Sequence, residues 1–341
     1  MRNLIVVLII SNVFSISSLA QLKTKKYLRA NKTPEYRITP THKSHSRALL
    51  VDGNRLLTGS ADGSVFLINL ENQQQQLLFQ QPNIKEIRDI AKSENGYVAM
   101  QSSESSKIVL IYNNGDLKIN KDDLFKNVFL DGLDMMNNIG FMMGDPKDGY
   151  FSLFKTLDGG KSWQECKGRI EALPEEAGYA ASGSNVQMLN DSTFVFITGG
   201  MTSRFFISRD AGNTWKERVL PYYPGKSTGP YSLCFANDSI GIMVGGDYRD
   251  PEIKLNTCFY TPDGGESWLL PENPTRGYRS SVISVNDVFY SCGTNGIDVS
   301  VNNGKDWAAY ADGNYLSMAA WNGFLIASAS NGELHFYQLV R

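Results

Sequence analysis

The chain has 341 residues with 33 basic against 35 acidic side chains, and this near balance, a formal net charge of −2, excludes the basic surface that general nucleic-acid binding requires. Hydrophobic residues make up 42% and aromatics 11%, with 31 glycines, a composition suited to many short strands joined by tight turns.

Residues 1–20 read as a cleaved export signal. Arg2 supplies the positive start, Leu4 to Ile10 the apolar centre, and Ser18-Leu19-Ala20 a small-residue cleavage site before Gln21. Ser11, Asn12, Ser15, Ser17 and Ser18 interrupt the apolar run, which falls short of the roughly 20 residues that span a bilayer. The mature product is expected to be periplasmic or secreted and monomeric, with no membrane span after cleavage.

Residues 21–45 form an N-terminal segment whose one strand-like stretch, Glu35 to Thr39, has no partner of its own. From residue 46 the chain repeats one layout: an apolar run, a polar turn, a second apolar run and a glycine before a loop. Arg47-Ala-Leu-Leu-Val, Arg55-Leu-Leu-Thr-Gly59 and Ser64-Val-Phe-Leu-Ile-Asn69 show it first, and it recurs from near Arg88, Gly132, Tyr179, Tyr231, Arg279 and Leu316. Seven units of about 42 to 46 residues predict an all-β, seven-bladed β-propeller over residues 46–341. The last unit, Leu316 to Leu339, holds only three strands, so the N-terminal strand is expected to complete the last blade and cover its edge.

Four segments share one spelling: Thr156-Leu-Asp158-Gly-Gly-Lys-Ser-Trp163, Ser208-Arg-Asp210-Ala-Gly-Asn-Thr-Trp215, Thr261-Pro-Asp263-Gly-Gly-Glu-Ser-Trp268 and Ser300-Val-Asn302-Asn-Gly-Lys-Asp-Trp307. The Asp or Asn can bond nearby amides, the glycine takes the positive φ of a tight turn, and the Trp packs beneath the hairpin. These segments resemble the Asp-box, or bacterial neuraminidase repeat, of sialidases, sortilin-type receptors and photosystem II assembly-factor propellers. The resemblance implies that each box is a structural turn between the third and fourth strands, so Asp158, Asp210 and Asp263 are not read as catalytic.

Propeller topology would set the boxes on one face and the loops that lead into the inner strands on the other. On that second face Arg47, Arg88 and Arg279 occupy matching inner-strand starts, with Tyr179, Tyr231, Tyr278 and Tyr315 at or beside corresponding positions. The loops after Gly144, Gly200 and Gly246 add Asp145, Arg204, Asp247 and Tyr248. Converging guanidinium groups suit a carboxylate, sulfate or phosphate, because each makes bidentate charge-assisted pairs and none loses its proton. The predicted ligand-binding set is therefore Arg47, Arg88, Arg204, Arg279, Asp145, Asp247 and Tyr248. The alternative is that the arginines pair with Asp89, Asp145, Asp247 and other nearby acids, filling the channel with salt bridges and water.

Further segments, Gly144-Asp145-Pro, Ala180-Ala-Ser-Gly-Ser184, Gly245-Gly-Asp-Tyr248 and Gly277-Tyr-Arg-Ser280, resemble loop signatures of exported bacterial propellers related to photosystem II stability factors and commonly labelled oxidoreductase. That resemblance implies a protein-binding platform. The oxidoreductase label finds no Gly-rich turn opening a helix and no thiol pair at redox spacing, so no cofactor is expected. Cys166, Cys234, Cys258 and Cys292 lie too far apart in sequence for a spacing-defined zinc site; one or two disulfides would suit an oxidising compartment, but buried free thiols are expected. His42, His45 and His335 do not assemble a metal motif, and no metal is expected.

The leading functional reading is a noncatalytic platform for a protein or anionic glycan partner. The enzymatic alternative is a sialidase-like glycoside hydrolase, with Tyr248 or Tyr278 as nucleophile and Glu176, Asp145 or Asp247 as carboxylates; no spacing singles out a pair.

Overall fold

The computed structural model describes residues 32–41, 44–120 and 123–340. The expected export signal and His42 lie outside them. Among the described residues the fold is all-β apart from one short 3-10 turn, Asp123–Phe125, and its strands form seven blades of a β-propeller. We letter the strands of a blade A to D from the axis outward.

Blade 1 comprises Ser46–Asp52, Arg55–Ser60, Val65–Asn69 and Gln75–Phe79, each antiparallel to the next, and blades 2, 3 and 6 repeat this plan. Blade 7 has strands A to C at Tyr315–Trp321, Phe324–Ala329 and Leu334–Gln338, and its strand D is the N-terminal Tyr36–Ile38. The closure expected from the sequence is thus present. Tyr36 stacks on Phe336 with centroids 4.3 Å apart, and Ile38 is buried.

Two blades depart from the repeat. Strand A of blade 4 begins only at Val186, because Gly178 to Asn185 leaves the sheet, so the expected start near Tyr179 is displaced. Blade 5 has three regular strands, Thr228–Phe235, Gly241–Asp247 and Cys258–Thr261, and in place of strand D a single bridge joins Tyr260 to Leu269.

The core is a series of seven apolar layers, one between each pair of neighbouring blades. Burying both faces of every sheet explains the near-continuous apolar runs of the central strands, such as Phe194–Ile197. Polar side chains at the axis tie blade to blade: Asp89 accepts from Leu133 N, Asp134 from Met188 N, and Ser232 from Val282 N.

The four Asp/Asn–Gly–Trp turns all join strand C to the outer segment on the lower face. In the first, the Asp158 carboxylate accepts from Ser162 N and Ser162 Oγ, and Thr156 Oγ1 accepts from Gly160 N. The second and third turns repeat this around Asp210 and Asp263; in the fourth Asn302 Oδ1 accepts from Asp306 N and Ser300 Oγ from Gly304 N, but Asn302 Nδ2 donates to the Asp306 carboxylate. Trp163, Trp215, Trp268 and Trp307 each pack into the layer shared with the preceding blade. The glycine at Gly160, Gly212, Gly265 and Gly304 has φ of 77 to 87°. A Cβ there would meet the preceding blade, at 2.9 Å from Val98, 2.7 Å from Cys166, 2.5 Å from Phe205 and 2.5 Å from Ile242 respectively. The glycine is therefore required twice, by its backbone conformation and by inter-blade packing. All four cysteines are free thiols.

Candidate binding site at the channel mouth

On the face opposite the four turns, residues at or near the starts of the inner strands of every blade but the fourth, together with Gly178 to Ala181, surround a cavity of about 520 Å³. What aims side chains into it is a repeated irregularity of register. The A–B pairing slips by one residue at Arg47, Arg88, Asp131, Tyr231 and Leu316, and each of these five lines the cavity. A bulge leaves one residue unpaired and re-aims it. Five blades thus present one unpaired residue each to the axis.

Blade 6 lacks the slip, and this changes the expectation for Arg279. The guanidinium is fully buried, with Tyr278 and Ser280 on either side of it facing the cavity instead. Side chains alternate along an extended chain, so a register displaced by one residue sends Arg279 the other way. It bonds Asp298, Asn295 and, at 2.8 Å, the Tyr278 carbonyl. Arg204 is corrected likewise. It lies on strand C of blade 4, Ser203–Ser208, clamped by Glu176 at 2.6 Å and Glu217 at 2.6 Å, with the Phe206 ring beneath it. Neither arginine faces the channel.

Arg47 and Arg88 do. Arg47 Nη1 donates to the carbonyl of Ala181 at 3.0 Å; Arg88 Nη1 donates to that of Ala180 at 2.6 Å, while its Nε pairs with Glu86 at 2.7 Å. Neither pairs with Asp89, Asp145 or Asp247, but a nearby acid, Glu86, takes Arg88, and Arg204 and Arg279 are ion-paired as well, so the alternative holds in part. Burial, and then the neighbouring Arg88 charge, lowers the Arg47 pKa. Two like charges are held side by side.

Ala180 and Ala181 belong to the irregular stretch Gly178 to Asn185, which crosses the channel. Ser182 Oγ donates to the Ser280 carbonyl of blade 6 at 2.8 Å, and Ser184 Oγ meets Ser232 Oγ of blade 5 at 2.6 Å. Below it lies a second cavity of about 400 Å³, lined by the middles of the inner strands, including Leu50, Asp89, Asp134 and Met318. The segment therefore divides the channel in two.

Opposite the arginines stands an aromatic wall. Tyr179 stacks on Tyr231 at 4.2 Å, Tyr278 meets Tyr231 edge-on at 4.9 Å, and Tyr248, half exposed, completes the group. Burial raises the pKa of Tyr179, Tyr231 and Tyr278 well above the ordinary phenol value. Between arginines and tyrosines are two carboxyls. Asp145 accepts from Gly178 N at 3.0 Å, and burial pushes its pKa up to about 6. Asp131, which the sequence reading missed, is buried, and desolvation followed by the Asp145 charge raises it well above the usual range. Its bulge position, equivalent to Arg47 and Arg88, is the signal that would have found it.

The remaining expected residues are placed as follows. Asp247 caps the turn into Arg249 by accepting from its backbone N–H at 2.9 Å, beside the cavity rather than within it. Glu176 is buried against Arg204 and Thr198 and does not line the cavity. His45 and His335 lie in blades 1 and 7; His335 bonds Glu333 and Tyr315. Among the described residues no group of three or more metal-ligating side chains is assembled.

No protein-family model matches the chain, and no curated protein matches it either. Solved structures do. Virginiamycin B lyase from Staphylococcus aureus aligns with a TM-score of 0.65 at 13% identity, covering 89% of this chain and 99% of that one. A structure of YCF48 bound to D1 peptide aligns at 0.63 and 12%, covering 91% and 97%. The WD40 propeller domain of Doa1 aligns at 0.61 and 12%, covering 89% and 95%. At such identities the likeness is one of fold: this chain is a seven-bladed β-propeller.

Proposed function

We propose that the protein is an exported, noncatalytic binding platform whose channel mouth takes an acidic group of a protein partner. The observation that carries this reading is the set of polar atoms left without partners around one cavity: Arg47 Nε, Asp131 Oδ2 and Thr294 Oγ1. Buried polar atoms are seldom orphaned, and three lining one void suit an incoming polar group. Arg47 and Arg88 together favour an anion, and the tyrosines opposite supply apolar area with hydroxyl tips, as interface centres do.

A protein is preferred to a sugar because the rim carries exposed apolar side chains. Leu173, Met201, Tyr223, Ile253 and Leu255 stand in the loops of blades 4 and 5 on this face. These loops are cross-tied, with Met201 N donating to Glu175 and Asn256 to Pro221, so they form one surface beside Tyr248. YCF48, described with a bound D1 peptide, offers a precedent in a propeller of the same fold. An anionic glycan remains the second reading, favoured by the 50% exposed Tyr248 ring with the Arg249 guanidinium over it, an aromatic surface and a cation side by side at the mouth. We also assign the four Asp/Asn–Gly–Trp turns to the Asp-box class, on their shared spelling and bonding.

The hydrolase reading finds less support. Glu176 is bound by Arg204, and Tyr278 is buried with its phenol held neutral, the reverse of an activated nucleophile. The test is thermal-shift titration of the mature chain with sulfate, N-acetylneuraminate, uronic acids and acidic peptides. A shift with acidic peptides that Arg88→Gln abolishes supports the platform. A shift confined to sugars favours the glycan, and turnover of a fluorogenic sialoside would overturn the noncatalytic reading.

A further inference from the structure

The segment Gly178 to Ser184 occupies the axis of the propeller without belonging to any sheet. Its seat is incomplete at both ends. Beside Gly178 the Asp131 Oδ2 has no hydrogen-bond partner, and at the far end neither side-chain atom of Asn185, itself buried, has one. Packing against the channel wall is nonetheless close: a Cβ on Gly183 would stand 2.2 Å from the Asp89 carboxyl. The segment fits tightly while satisfying its surroundings poorly.

Its central carbonyls, Ala180 and Ala181, are held by one N–H each from Arg88 and Arg47. Other ties are the hydroxyl bonds of Ser182 and Ser184 to blades 6 and 5, those of Tyr179 to the Lys226 and Thr228 carbonyls, the Gly178 and Ala180 N–H groups held by Asp145 and Asp131, and the Ser184 carbonyl, which accepts from Leu233 N. A carbonyl is a neutral acceptor. The arginine–carbonyl bonds carry one charge, whereas an oxyanion placed between the two guanidinium groups competes for the same N–H groups with both partners ionised and can be held bidentately.

We propose that Gly178 to Ser184 is a displaceable plug, and that an oxyanion taken by Arg47 and Arg88 releases it and joins the upper and lower cavities. The proposal rests on the reading of these arginines as an anion site. Ligand binding at the mouth thereby becomes linked to exposure of the lower channel wall, which carries Asp89, Asp134 and a half-buried thiol, Cys234. A ligand shifts such an equilibrium only through its different affinity for the two states, and here the difference is the two carbonyls it must displace.

Two measurements test this with inorganic sulfate as probe. In the unmodified protein, amide hydrogen exchange across residues 178–185 should accelerate about tenfold or more at saturating sulfate. Unchanged or slower exchange with sulfate bound overturns the plug and leaves the anion site standing. In Ser184→Cys/Ser232→Cys, whose parent hydroxyls are 2.6 Å apart, oxidation should lock the plug to blade 5 and weaken sulfate binding by about tenfold, with reduction restoring it. Equal affinity in the oxidised and reduced forms overturns the proposal. Failure of wild-type protein to bind sulfate overturns the anion site and the plug together.

Discussion

Arg88, on the inner strand of blade 2, donates at 2.6 Å to the carbonyl of Ala180, 92 residues further along the chain and outside any strand. With Arg47 and Ala181 it forms a pair of bridges from blades 1 and 2 to a segment that precedes blade 4. The cations that read as ligand-binding groups therefore also position backbone at the axis.

Removing one bridge should weaken both roles. Arg88→Gln is expected to lower unfolding stability by about 1.5–3 kcal/mol, the range for hydrogen bonds to a charged group, and to abolish anion binding. Arg88→Lys should recover part of the stability without the binding, since a single nitrogen replaces the separate Nε and Nη1 that reach Glu86 and Ala180 and offers no planar fork to an oxyanion. Chemical denaturation and titration of the same variants check the two effects.

Burial should separate two arginines that look equivalent in sequence. Arg279→Met leaves Asp298 in the interior with only Arg276 opposite it and should cost about 3–5 kcal/mol. Arg218→Met removes an exposed pair with Glu266 and should cost about 1 kcal/mol or less. Similar losses in the two variants would contradict the placement of Arg279.

Stability should fall from weakly acidic toward alkaline pH. Burial, with the Asp134 charge adding to it, raises Asp89 from 3.8 to about 8, and burial raises Asp134 and Asp145 to about 6. The folded chain then holds protons that the unfolded chain has released, so stability is lost as pH climbs through these values. His45, lowered mainly by burial and by the Arg47 charge, works the other way, but it is a single half-buried group. Asp52, Asp158 and Asp263, held low chiefly by hydrogen bonds that outweigh desolvation, lose their contribution only at the acid end. Thermal unfolding between about pH 5 and pH 8 should show a declining midpoint, and Asp89→Asn should flatten the slope.

The two demands on the turn glycine can be told apart. Gly160→Ala meets both a φ of +86° and a Cβ contact of 2.9 Å with Val98, whereas Gly149→Ala meets a φ of +83° with nothing within 4 Å. Gly149→Ala should cost about 1–2 kcal/mol for the left-handed backbone alone, and Gly160→Ala measurably more.

Closure by the first strand predicts that removing residues 32–39 lowers the melting temperature by several degrees or more, because Phe336 and Leu334 lose their cover and strand C of blade 7 becomes an edge. An unchanged midpoint would contradict it.

The blade count and the closing strand were legible in the sequence because both follow from local periodicity: Arg55-Leu-Leu-Thr-Gly59 announces a buried strand wherever it stands, and Tyr36-Arg37-Ile38 has no neighbour to pair with. Four turns were legible because each is a self-contained hydrogen-bonded unit. The site was legible only in part. Arg47 and Arg88 were placed correctly at the mouth, but whether Arg279 joined them depended on one slipped residue, and a shift of one inverts which face a side chain meets. Asp131 was hidden for the same reason, and Arg204 because its partner Glu176 lies 28 residues away. The crossing of the channel by Gly178 to Asn185 was decided by tertiary structure alone. Nothing in those eight residues states that arginines of two distant blades will hold their carbonyls, because such a contact exists only once the ring of blades has closed.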